Sequence, residues 1–89
     1  MDLQSAKDSI KRYVEHGVPT GGFLQSVLAN DLMEAMGRAD MTSRLNLFEI
    51  CSYVYNEVPI ACHGSYEKVE AWLKMKRAAL NQMEAEEEE

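Results

Sequence analysis

The chain has 89 residues, 46% of them hydrophobic and 27% charged, which is the composition of one small globular domain and not of a disordered segment. Its net charge is −6, without the clustered Lys and Arg that grip a nucleic-acid backbone, and its uninterrupted apolar runs are only a few residues long, too short to span a membrane. Five of those negative charges fall on Glu84, Glu86, Glu87, Glu88 and Glu89, so the body before them is nearly neutral, with "KMKR" at 74 to 77 as a weakly basic stretch.

Apolar residues recur at helical spacing along the whole chain, and nothing alternates as a half-buried strand would. In the first segment Leu3, Ala6, Ile10, Tyr13 and Val14 share one face, and Gly17 followed by Pro19 supplies a stop. A second helix is predicted from Thr20–Gly22 to a stop at Gly37, with Phe23, Leu24, Val27, Leu28, Leu32, Ala35 and Met36 on a broad apolar stripe. The third follows Asp40 or Thr42 as cap and carries Leu45, Leu47, Phe48, Cys51, Val54 and Tyr55, with Pro59 beyond its end. A fourth opens at Ser65 and repeats Tyr66, Val69, Trp72, Leu73, Ala79, Leu80 and Met83.

Short connections favour antiparallel neighbours, so the expected fold is all-α: a compact antiparallel four-helix arrangement over residues 1–83 with an acidic tail at 84–89. The fourth helix is about 20 residues long against about 14 for the others and overhangs by roughly 9 Å at 1.5 Å per residue. That overhang invites a homodimer or higher homo-oligomer. Glutamates at a helix C-terminus oppose the macrodipole, so the tail is expected to fray.

Two charged residues interrupt the stripes. Asp31 falls between Val27 and Ala35, and Arg44 near Cys51 and Phe48, which predicts a structural Asp31–Arg44 ion pair across a helical hairpin at "GRAD". In an up-down-up-down bundle the second and fourth helices start at the same end, bringing "TGG" beside "HGS". Thr20, Gly21, Gly22, His63, Gly64 and Ser65 are therefore the candidate ligand-binding residues, offering helix-start N–H groups to a phosphate or carboxylate, with Arg38 at the opposite end. The bland alternative is that Thr20 and Ser65 only cap helices.

Enzymatic motifs are missing. Cys62-His63 is a poor nucleophile pair because adjacent side chains rarely point at one another, and Cys51, Cys62, His16 and His63 lack the paired spacing of a zinc site. "TGG" lacks the lysine of a phosphate-binding loop and the third glycine of a dinucleotide site. No enzyme activity, cofactor or metal is expected. Two free thiols and an N-terminus, "MDLQSAKDSI", without the apolar stretch of a secretory signal point to the cytoplasm.

"GVPTGGFLQSVLANDLMEAMGRAD" and "YNEVPIACHGSYEKVEAWL" resemble small uncharacterised helical proteins of tailed bacteriophages and prophages, over roughly residues 10 to 73. The resemblance implies a phage accessory protein in the host bacterial cytoplasm that modulates host machinery or defence, and it assigns no binding residue. Two functions follow as expectations. The first is protein interaction with a host protein through an amphipathic face or the acidic tail. The alternative is a sponge that sequesters a phosphorylated or nucleotide signal, an anionic small molecule, at the paired helix N-termini.

Overall fold

The structure, a computed structural model, describes the backbone of residues 1–87 and the side chains of residues 1–84. It is all-α: α1 (Leu3–His16), α2 (Gly22–Leu28), α3 (Leu32–Arg38), α4 (Met41–Leu45), α5 (Leu47–Glu57), a 3₁₀ turn (Ile60–Cys62) and α6 (Tyr66–Glu87). The four-helix arrangement does not hold, because two of the four expected helices are each broken in two.

The first break is at Asn30, whose φ of 61° is left-handed, a conformation that asparagine tolerates better than most residues. Asp31 then starts α3 afresh, its carboxylate accepting the Glu34 backbone N–H at 3.4 Å. The second break is the single residue Asn46, between α4 and α5. Its side-chain amide donates to the Thr42 carbonyl (2.9 Å), which also accepts the Asn46 backbone N–H (3.2 Å), so one residue closes α4 with both of its donors. Gly37, expected to end a helix, lies inside α3.

Other local signals act as their chemistry dictates. Gly17 closes α1 in the left-handed conformation (φ 68°), its N–H on the Tyr13 carbonyl and that of Val18 on the Arg12 carbonyl. Asp40 caps α4 through the Ser43 N–H (2.8 Å), and Ser65 caps α6 through the Lys68 N–H (3.1 Å). Thr20 caps nothing: its hydroxyl donates to the Gly21 carbonyl at 3.2 Å, and α2 begins without a side-chain cap.

Asp40 also accepts the N-terminal ammonium of Met1 on both oxygens (3.0 and 3.1 Å), while Met1 reaches the Ser43 hydroxyl as well. The Ser43 N–H first, and then the ammonium, hold the Asp40 carboxyl down at about 2 against an ordinary 3.8. A depressed carboxylate favours the fold above its unfolded-state pKa and ceases to do so as pH falls through the folded one. Asp40→Asn is therefore expected to flatten the part of the acid-unfolding curve between pH 3.8 and about 2, read by circular dichroism.

The core joins Ala6, Ile10 and Tyr13 of α1 to Leu24 and Leu28 of α2, Ile50 and Val54 of α5, Cys62 of the 3₁₀ turn and Val69 of α6. Tyr13 donates its phenol to the buried Cys62 carbonyl (2.8 Å), and the Trp72 indole N–H donates to the Tyr13 carbonyl (3.1 Å), tying α1 both to the 3₁₀ turn and to α6 itself. That last helix passes the end of α1 at Lys76 and continues alone, giving the molecule a long axis of 50 Å against 23 and 22 Å across. Helix, and not frayed chain, continues through Glu84, Glu86 and Glu87; Glu88 and Glu89 lie outside the described residues.

Candidate functional site

The corner where α2 gives way to α3 organises the site. Ending α2 at Leu28 leaves its last carbonyls without intrahelical partners, and the Leu28 oxygen takes the Gly64 N–H at 2.7 Å, just ahead of α6. Two residues further on, the Tyr66 phenol donates to the Asp31 carboxylate (2.6 Å), which raises the Tyr66 pKa, chiefly through that hydrogen bond. The corner is thus clasped to the start of α6 at two points. Gly64 is suited to it, since its φ of 124° is one that side chains other than glycine rarely adopt.

This clasp settles the position of the expected anion site. His63, Gly64 and Ser65 stand at the C-terminal end of α2, whereas Thr20, Gly21 and Gly22 stand at its N-terminal end, beside Val69 and Leu73 well inside α6. The two helices run antiparallel, so their N-termini are at opposite ends and the six residues form no common pocket. The reversal at Asn30 is the physical reason: α3 doubles back along α2 until Arg38 meets Gly22, a turn that an unbroken second helix does not make. Arg38 is displaced as well. Held by Glu34 (Nε to Oε1, 2.8 Å), its guanidinium lies against Gly22, where a Cβ would stand 2.8 Å from Nη1, and not at the opposite end of the molecule.

The Asp31–Arg44 pair also is not formed. Asp31 is committed to the Glu34 N–H and the Tyr66 phenol, and Arg44 is exposed on α4 with no ion-pair partner among the described residues. Breaking both helices removes the hairpin register that would have brought the two side chains together.

What the clasp does build is a groove of about 450 Å³ on its outer side. It is lined by Val27 and Leu28 of α2, Leu32 of α3, Cys51, Val54 and Tyr55 of α5, and Asn30, His63 and Gly64 of the connecting turns. Its size and apolar lining, with a few polar groups at the edge, are those of a site for an apolar group. The surface beyond is apolar too. Phe48 extends the α5 wall one turn past Cys51 and is 79% exposed; Tyr55 is 82% exposed. Leu32 is half exposed, and Met36, one turn along α3, equally so. The sequence pattern places these side chains in the core, whereas the breaks at Asn30 and Asn46 turn them outward. "AND" at 29 to 31, a left-handed asparagine before a capping aspartate, is the signal that could have announced the first break.

Burial raises the thiol pKa of both Cys51 and Cys62, the reverse of what an activated nucleophile needs. Both cysteines are free, and Cys62 is wholly buried, with its carbonyl occupied by Tyr13. Among the described residues no group of three His, Cys, Asp or Glu side chains gathers as a metal site, and no helix is long and apolar enough to cross a membrane. Comparison with protein-family models, with curated proteins and with solved structures finds no match to this chain.

Proposed function

We propose that this chain is a non-enzymatic binding protein whose α3–α5 groove receives the apolar face of an amphipathic helix from a partner protein. The observation that carries the reading is the exposure of Leu32 and Tyr55 in the lining of one concave site, with Met36 and Phe48 exposed one turn away along α3 and toward the start of α5. Monomeric proteins seldom leave so continuous an apolar surface bare unless something covers it. A cleft flanked by two helices suits an entering helix, whose i, i+3, i+4 and i+7 side chains would seat along it. Phe48 and Tyr55 supply the rigid aromatic contacts that dominate such interfaces, and Met36, one turn beyond Leu32, an adaptable one.

The resemblance to phage accessory proteins makes a host protein of the bacterial cytoplasm the partner we favour. Binding rather than chemistry suffices for that role. A sponge for an anionic signal would need paired helix N-termini, and Thr20–Gly22 and His63–Ser65 stand at opposite ends of α2.

A photo-crosslinking aromatic amino acid placed at Phe48, with a second version placed at Lys11 on the exposed side of α1, tests this reading inside host cells. A discrete protein adduct is expected from position 48 and not from position 11, and Tyr55→Asp introduced alongside should abolish it without changing the circular dichroism spectrum. Equal labelling from both positions, or none from position 48, would overturn the proposal. A small molecule released from the purified protein on denaturation, and displaced by Tyr55→Asp, would replace it with a ligand-binding role.

A further inference from the structure

Among the described residues, nothing in the chain covers the second half of α6. Every side chain from Arg77 to Glu84 is exposed, including Leu80 at 54% and Met83 at 59%, and the helix runs on through Glu87. An isolated helix of about eleven residues is marginal in water, and one with glutamates at its C-terminal end is more so.

The apolar residues on this arm continue the seam by which α6 packs on the body. Val69 is buried, Leu73 and Lys76 are half-buried, and Leu80 and Met83 follow at the same alternation of four and three residues, the spacing of a coiled-coil contact line. The body ends where Gly17 packs on the Lys76 stem, so the last two members of the line have nothing to meet. Charge along the arm is divided in the same direction: Lys74, Lys76 and Arg77 come first, Glu84, Glu86 and Glu87 last.

We infer that the arms of two copies of this chain pair antiparallel, Leu80 of each on Met83 of the other, to make a homodimer through a surface separate from the α3–α5 groove. In this register residues whose numbers sum to about 163 stand opposite one another, so Arg77 approaches Glu84 of the second copy, twice by symmetry. On the helical wheel both lie on the same flank of the Leu80–Met83 line, and an antiparallel pair brings like flanks together. The segment carrying Glu86 and Glu87 comes alongside Lys76. Parallel pairing would instead set acidic end against acidic end and put both bodies on the same side. The interface is short, which places it among weak, concentration-dependent associations.

Sedimentation velocity of the full chain over the micromolar to millimolar range tests the pairing. The unmodified chain is expected to pass from monomer to dimer, and Leu80→Glu to remain monomeric with its core helicity retained. Arg77→Glu and Glu84→Arg should each weaken association by about tenfold, since each turns two attractive pairs into repulsive ones. The double variant R77E/E84R restores the pairs in reversed order only if the helices are antiparallel, and should recover the dimer. A chain that stays monomeric up to about 1 mM, a Leu80→Glu variant that dimerises as well as the unmodified chain, or a double variant no better than R77E, would each overturn the inference.

Discussion

Tyr13→Ala is expected to lower the stability of the fold by about 3–5 kcal/mol, the range for deleting a buried aromatic side chain. The ring is 1% exposed among Ala6, Ile10 and Leu24, and its phenol supplies the hydrogen bond of the buried Cys62 carbonyl. A small domain has about 5–15 kcal/mol of net stability, so the loss is a large share of the whole. Tyr13→Phe separates the two contributions: it keeps the ring, removes the 2.8 Å bond and should cost about 1–2 kcal/mol. The same phenol sets an alkaline limit. Burial, with a smaller contribution from Cys62, raises its pKa far above the ordinary 10.0. In the unfolded chain the phenol ionises from about pH 10, whereas the folded chain holds its proton, so stability falls as pH rises above that point. Burial of the Cys62 thiol acts in the same sense from its ordinary 9.0. Denaturant titrations at successive pH values should show a shallower alkaline decline for Tyr13→Phe, and equal slopes for the two proteins would refute the assignment.

Gly17→Ala is expected to cost about 3 kcal/mol, more than most single-methyl additions. Left-handed backbone at φ 68° costs an alanine about 1–2 kcal/mol. The new methyl would also collide with the Cβ of Lys76, which is fixed to the α6 backbone and cannot swing aside as a side-chain end could. Overpacking of this kind adds about 1–3 kcal/mol. Relief requires α1 and α6 to move apart, which stretches the Trp72 bond to the Tyr13 carbonyl, so a shift in tryptophan fluorescence should accompany the drop in denaturation midpoint. Gly21→Ala is the control. Its φ of 97° and ψ of 170° are open essentially to glycine alone, so stability falls there too, but a Cβ meets nothing within 4 Å and the fluorescence should be unchanged.

Much of the local architecture was legible before any coordinates. The Gly17 stop, the Asp40 cap and the Ser65 start are decided within one helical turn, by a left-handed residue or by an oxygen reaching an N–H three residues on, and each is found where its neighbours require it. The all-α class follows from periodicity in the same way. The candidate site was legible only in part. His63 and Gly64 line the groove, but Thr20, Gly21 and Gly22 stand at the far end of α2, and the aromatic wall of Phe48 and Tyr55 was assigned to the core.

Apolar spacing states that a helix has an apolar face, not what that face meets. Leu32 and Leu28 belong to one stripe on a continuous helix; the turn at Asn30 puts Leu28 in the core and leaves Leu32 at the groove edge. Likewise Val54 is buried and Tyr55 is not, because α1 and the segment before α6 cover only one side of α5. Caps, stops and helical character are written into the chain locally, since they depend on residues within a turn of one another. The antiparallel course of α2 and α6, the exposed edges of the groove and the unsupported arm emerge only on folding, because they depend on how short rigid segments rotate and reverse about Asn30, Asn46 and Gly64.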